Sequence, residues 1–528
     1  MPTRRLRPHP GAPQPEGRRL QPHRRRLQPH RRRPQPHGRP PQPHGRRLLA
    51  HLRRPQPYGR RLLANLPVAL LIGAYTLRFS LLSVQVQDGY GTFAFDMGIF
   101  DQGVWLLSRF HAPFVTVMGR DLFGDHTSFI LLLAVPLYWV WPHAQALLVL
   151  QTCLLAAAAV PIYLLALRRT ASVVIATALA GAYLLNPALQ NGNLEQFHAE
   201  CFLVLSAALA IYAAVESKPK LLAVAVVASL LVKEDAALLM VPLGVWVYFR
   251  RDREWGVRIM VASVAWMVFA YTVVINSLLG TVTFYANRIP FGGLGGLVST
   301  VVAHPVRFWR YTRSQGRLFY LWQMAASFGL VFVAAPEVAA IGILTLSENV
   351  LSTFPYMHQI VYHYSLPLVP VLALGTVLAV ARLSTPLRRY LATAVVVTAA
   401  LWSCLQWGLP PFSSRGYQHL NPDSPQVLAI NSVLRLVPPN AVVSAYDSYV
   451  AHLDHRTRIY QWPTPFSAHY WALYRQEGQR LPFANQVQYV VLPASLSASD
   501  MAVLASISQE YHPIGEGGGV VVYRRVGS

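Results

Sequence analysis

The residues best suited to chemistry lie in FDMGIFDQGVW, Phe95–Trp105, and in GDH, Gly124–His126, a short way behind it. Asp96 and Asp101 fall in the first stretch, Asp125 and His126 in the second. NGNLEQFHAE, Asn191–Glu200, adds His198 and Glu200, and Lys233-Glu234-Asp235 sets three charges in a row within apolar sequence. A carboxylate in such a set could take the proton of an acceptor hydroxyl. Lysine, arginine or a bound divalent cation could stabilise a departing phosphate. Together these would transfer a group from a phosphate-linked donor.

Each candidate also has a plainer structural reading. Asp96 could equally cap a helix Met97–Phe110. Asp101 lies more than one turn further on and partly around that helix, so the two carboxylates need not converge. Asp96 is the better candidate base and Asp101 the secondary one. Asp125-His126 could cap the next helix, and a lone histidine such as His198 is usually a hydrogen-bonded structural residue. For Lys233-Glu234-Asp235 the functional reading leads, because packing hardly explains three adjacent charges. Lys233 could hold a phosphate, with a salt bridge to Glu234 or Asp235 as the alternative. The acids with His126, His198, His358 or His363 could hold a divalent metal ion, but no diagnostic ligand spacing occurs.

The elements that position these residues are membrane spans. The chain has 528 residues, 53% apolar and 13% charged, with a mean hydropathy of +0.32. Many apolar runs approach the roughly 18–20 residues that cross a bilayer, which excludes an ordinary soluble enzyme. The net charge of +24 is concentrated in residues 1–65, where 18 arginines and Glu16 give +17, leaving +7 elsewhere. This tail repeats every seven residues, as LQPHRRR from Leu20 and Leu27 and PQPHGRR from Pro41. Proline in the repeats excludes a coiled coil, and the composition is that of a disordered segment. A cytoplasmic tail expanded by a DNA repeat, or lying upstream of the true start, is favoured over lipid, metal or nucleic-acid binding. Its basic region is far too long for a signal peptide. Cys153, Cys201 and Cys404 show no pairing or metal spacing and read as small buried apolar residues.

Positive charge stays cytoplasmic, so the first span, Leu62–Val86, carries the Phe95 loop outside. Thr127–Trp141 is short and proline-broken and reads as an interfacial or re-entrant piece rather than a span. The spans then alternate: Ala144–Leu167, Ala171–Pro187, Cys201–Val215, Leu221–Val232, Ala236–Phe249, Val257–Leu279, Leu318–Ala335, Glu337–Val350, Tyr364–Ala381 and Tyr390–Trp407. The outer loop 280–316, with Arg288, is an exception to the charge rule. From Pro410, strand patterns at Ala441–Ser448, Tyr489–Pro493 and Gly519–Arg525 alternate with helical ones at Ser424–Leu436 and Ser499–Ser508. The expected architecture is an all-α polytopic membrane protein of about eleven spans. It comprises a tail at 1–61, a transmembrane domain at 62–409 with an outer loop 87–143, and an extracytoplasmic α/β domain at 410–528. The amino terminus is then inside and the carboxyl terminus outside, in the plasma membrane.

This topology sorts the acids. Of the 21 beyond the tail, Glu216, Asp252, Glu254 and Glu337 fall inside and seven lie in the C-terminal domain. The remaining ten, from Asp88 to Glu348, all fall at outer span ends or in outer loops. Ionisable groups at membrane depth are costly and tend to be functional. A proton-coupled carrier would place some near the midplane, so the outer clustering favours an enzyme.

Several of these motifs also carry a resemblance. FDMGIFDQ, Gly119-Arg120, GDHTSF, LLVLQ at Leu147–Gln151, LLNPALQ at Leu184–Gln190, FHAE at Phe197–Glu200, KED, LSENVLS at Leu346–Ser352 and YHYSLPLVP at Tyr362–Pro370 resemble a bacterial predicted-membrane-protein family of unknown function, a DUF class. The pattern covers about residues 65–460, with FHAE standing where the family usually has FHPE. That family is similar to the GT-C glycosyltransferases, whose donors are polyprenyl-phosphate sugars. The resemblance implies a GT-C-like fold, with Asp96 as catalytic base and Asp101 as a second catalytic candidate. Asp125, His198, Glu200 and Lys233 would line the donor pocket, with Arg120, His126, Glu234, Asp235 and Arg288 as further substrate-binding candidates. The implied partners are membrane lipid, the donor and an extracytoplasmic acceptor, with nucleic acid not among them. A transporter or flippase for a lipid-linked envelope precursor, and a non-catalytic membrane scaffold, are the alternatives.

Overall fold

The structure is a computed structural model that describes residues 58–281, 286–409, 418–470 and 476–527. Almost all of the arginine-rich tail expected at 1–61 lies outside the described residues. From Tyr58 onward the chain forms one compact unit.

Five helices are long and apolar enough to cross a membrane: Asn65–Asp88, Ala144–Thr170, Arg253–Leu279, His363–Arg382 and Pro386–Trp407. Val173–Leu184 and Pro187–Glu195, bent by 45°, make a sixth if counted as one span. The bend falls where Asn186 accepts hydrogen bonds from Ala188 N and Leu189 N and Pro187 opens the new helix. The other five expected spans are shorter or broken helices, such as Glu200–Val215, Pro219–Leu230 and Ala237–Arg250. Packed helices can stay short where protein rather than lipid satisfies the irregular backbone.

The polarity pattern is that of a protein in lipid. Val257, Val261, Val264 and Val268 recur at helical spacing and are all exposed, while Glu200–Val215 is buried almost throughout. Cys201 and Cys404 are buried as expected, whereas Cys153 faces outward on its span. The 280–316 stretch, expected as loop, contains the helices Leu294–Ala303 and Pro305–Arg313.

Span polarity also separates the two ends. Ala144–Thr170 carries Gln151 toward one end and Arg168-Arg169 at the other, where both arginines pair with Glu216 at 2.9 and 2.8 Å. At 1.5 Å per residue these lie roughly 25 Å apart, close to a bilayer core. His363–Arg382 repeats this arrangement, with Arg382 bonded to Glu337.

After the first span, the short strands β1 (Phe114–Val115) and β2 (Arg120–Asp121) pair antiparallel, and the expected interfacial piece forms two helices, Phe129–Leu133 and Val135–Val140. The C-terminal region holds β3 (Val443–Ala445), β4 (Ile459–Gln461), β5 (Tyr489–Pro493), β6 (Tyr511–Gly517) and β7 (Val520–Arg525), in the order β4-β3-β5-β7-β6. β3 lies parallel to β4 and β5, and β7 antiparallel to β5 and β6. Edge strand β6 tolerates Pro513 and an irregular register between Pro513 and Gly515.

This sheet packs onto the outer loop and shares its core. Gln102 Nε2 donates to Arg456 O, and Thr116 Oγ1 donates to Ile459 O at 2.6 Å and accepts from Ile459 N at 2.9 Å. Thr116→Val would orphan both Ile459 backbone groups in a buried position. It should lower stability by about 1–3 kcal/mol, read as an earlier thermal unfolding transition in detergent.

Candidate active site

The site begins in the turn Ala94–Gly98. Asp96 sits there with φ 67° and ψ −79°, a region that non-glycine residues rarely occupy. Such a turn persists only if its surroundings impose it. The Gln196 side-chain oxygen accepts from both Phe93 N and Met97 N at 3.1 Å. Asp447, just after β3, accepts from Ala94 N at 3.1 Å. Asp96 therefore does not cap a helix: the helix runs Ile99–Ser108 rather than Met97–Phe110, with Gly98 at its cap position and no side-chain cap. The carboxylate of Asp96 is left partly exposed.

A second irregular segment is held by Gln151. Its amide nitrogen donates to Asn193 O and Gln196 O, at 3.0 and 2.6 Å, and its oxygen accepts from His198 N at 2.9 Å. The helix Pro187–Glu195 consequently stops at an extended Gln196, and the chain turns His198 back toward Asp96.

His198 Nε2 lies 3.3 Å from Asp96 Oδ2. The imidazoles of His198 and His363 stack with centroids 3.6 Å apart. His363 N donates to Glu195 Oε2 at 2.6 Å, and its Nε2 is 3.9 Å from Glu200 Oε1. Lys233 Nζ lies 3.2 Å from Glu200 and 3.4 Å from Asp235. Carboxylates thus stand beside the two imidazoles and the Lys233 ammonium along one line. Burial opposes charge on His198, but Asp96 and Glu195 override it and push its pKa up to about 9. Burial likewise opposes ionisation of Asp96, yet His198 and His363 hold its carboxyl below the usual range. Burial disfavours the Lys233 ammonium, but Asp235 and Glu200 hold it well above the ordinary lysine range.

All of these groups except Asp235 line a cavity of about 400 Å³. Of the sequence candidates, Asp96, Asp125, His126, His198, Glu200, Lys233 and Arg288 reach it. Arg120, buried behind it, pairs with Asp125 at 2.7 Å, so Asp125 does not cap the following helix. Glu234 supports the wall by accepting from Thr127 N and meeting His126 Nδ1 at 2.7 Å. Asp235 and Arg288 face an adjoining, more apolar cavity of about 300 Å³, bordered by Leu294, Leu297 and Glu348. Asp101 stands apart from both, buried against Tyr138 and His455. Tyr356, Tyr362 and Tyr364, and Asp447, Gln461 and His469 of the C-terminal region, also line the main cavity. The sequence reading passed over all six; the three tyrosines lay beside the noted His358 and His363, but nothing local marked the C-terminal ones.

Glu195, His198 and His363 bring their ligand atoms within 4.8 Å of one another, and His198 Nδ1 has no hydrogen-bond partner among the described residues. This trio of one carboxylate and two imidazoles could hold a divalent ion.

The fold is of the GT-C type. It is similar to ArnT from Cupriavidus metallidurans, solved bound to undecaprenyl phosphate, with a TM-score of 0.53 and 11% identity over 87% of this chain and 98% of that one. The chain belongs to the family described as "Predicted membrane protein (DUF2079)", whose model matches residues 91–522. That match begins at residue 91, later than the 65 expected from the motifs, and extends past the expected 460 to take in most of the C-terminal sheet. No curated protein matches the chain.

Gln196→Leu keeps side-chain bulk but frees Phe93 N and Met97 N. It should raise amide hydrogen exchange across 93–98 by about tenfold or more, read by exchange mass spectrometry against the 144–170 span as an internal control.

Proposed function

We propose that this protein is a membrane glycosyltransferase, moving a sugar from a polyprenyl-phosphate donor to an acceptor at the outer face of the plasma membrane. The observation that carries this reading is the one cavity lined by Asp96, held in a strained turn, and by two cations, the buried Lys233 and the half-buried Arg288. The ArnT-like fold supports the same reading.

In this mechanism the acceptor hydroxyl oxygen attacks the anomeric carbon as the bond from that carbon to the phosphate oxygen breaks. Asp96 takes the hydroxyl proton, and polyprenyl phosphate departs with the bonding electron pair. Lys233 and Arg288 hold the phosphate and stabilise its charge. Arg288 borders both cavities, so a lipid phosphate beside it would direct its chain into the apolar one. His198 keeps Asp96 ionised and oriented. Asp125, His126 and Glu200 shape the donor pocket, while Arg120, Glu234 and Asp235 hold those walls. Asp101 contributes from behind, as a positioning residue. A divalent ion at Glu195, His198 and His363 would require a neutral His198, would replace its proton as the positive charge beside Asp96, and would supply further phosphate stabilisation. With the cavity outside, the arginine-bearing span ends lie in the cytoplasm and the C-terminal sheet outside, in keeping with the charge rule.

Asp96→Asn keeps the shape of the turn and removes the base. Transfer from purified polyprenyl-phosphate sugars should fall by about 10²–10⁴-fold, with donor binding retained. Undiminished transfer would overturn the assignment, and substrate movement across sealed vesicles without bond cleavage would identify a carrier instead.

The pH dependence follows from His198. Its raised pKa means the charged pair with Asp96 is intact below the ordinary histidine range and is lost as pH rises through about 9. Transfer should therefore hold through neutral pH and decline near 9. His198→Gln should lower the plateau and abolish that alkaline limb in a rate profile.

A further inference from the structure

Asp101 lies in the most prominent motif of the chain, yet it does not reach the cavity. Its carboxylate is buried with Asp454 and His455 of the C-terminal region, all three ligand atoms lying within 4.8 Å of one another. We propose that Asp101, Asp454 and His455 form a second metal site, for an ion of the zinc class, which fastens the C-terminal sheet to the outer helix Ile99–Ser108.

Two observations point to a missing positive charge. Asp101 and Asp454 are each about 98–99% buried, and two adjacent carboxylates in such surroundings cannot both ionise without a compensating charge. Asp454 Oδ2 receives no hydrogen bond from any donor group among the described residues. The neighbouring cation, Arg456, is committed elsewhere: it donates to the carbonyls of Leu453, Pro438 and Ala441. Either a shared proton or a cation must therefore fill the space beside Asp454.

The donor set favours a metal. Two carboxylate oxygens and one imidazole nitrogen, with water as the fourth ligand, suit tetrahedral zinc. His455 Nε2 lies 3.0 Å from Asp101 Oδ1, close to the roughly 3.3 Å between ligand atoms around zinc. The outer partners are also in place: the Tyr138 hydroxyl donates to Asp101, and Trp105 stacks on His455 at 5.9 Å. His455 is 29% exposed, which leaves an entry path.

The test uses the full chain in detergent, stripped with EDTA and titrated with zinc chloride while bound zinc and thermal unfolding are followed. The wild type should take up zinc at this site and unfold at a higher temperature with it. Asp454→Asn keeps the size of the side chain and removes its charge, so it should fold, but its zinc affinity should fall by about 100-fold and the thermal gain should vanish. His455→Gln should behave likewise and serves if the first variant misfolds. His363→Gln, in the cavity, should retain the zinc response. The proposal is overturned if zinc does not bind, if both cluster variants respond like the wild type, or if only His363→Gln abolishes the response. None of these outcomes depends on transferase activity.

Discussion

Two glutamine side chains hold the site together. Gln151 fixes the backbone of 193–198, and Gln196 fixes the backbone of 93–97, so one amide relay brings Asp96 within 3.3 Å of His198. A relay of this kind is needed because both segments are irregular and buried. Backbone groups that helices would otherwise satisfy must find partners inside the protein, since lipid offers none. The strain stored at Asp96 is sustained by that relay together with Asp447 from the sheet.

The same constraint explains the pairing of charge along the cavity. A buried ammonium or carboxylate is tolerated when each has an opposite neighbour. Lys233 sits between Glu200 and Asp235, and His198 beside Asp96. The result is a polar chamber of paired charges, with Arg288 at its junction with the apolar cavity. In the proposed reaction, that junction is where a lipid phosphate would be held.

The C-terminal sheet takes part in the site as well as covering the outer loop. Asp447 lines the cavity and secures the turn that carries Asp96, while Asp454 and His455 enclose Asp101. The two aspartates of FDMGIFDQ thus serve different surroundings. Asp96 faces the chamber, and Asp101, on the helix behind it, faces the sheet.

Much of this was legible in the chain itself. Apolar length marked the five long helices and the bent pair that can cross a membrane, because desolvating charge and backbone in lipid costs more than any local preference. It did not separate them from the five expected spans that are short, packed helices. Gathering the acids at one end put Asp96, Asp125, His198, Glu200 and Lys233 in a common neighbourhood. β5, at Tyr489–Pro493, was visible because its β-branched run is unambiguous, whereas β6, with proline and glycine, carries no such pattern. Sequence spacing could not separate the surroundings of Asp96 from those of Asp101, nor remove the helix-cap reading of Asp96. Those depended on contacts between residues about 100 and 350 positions apart, Gln196 with Met97 and His455 with Asp101. Local pattern reports periodicity and cost of burial; which buried groups meet is decided only when the helices and sheet pack.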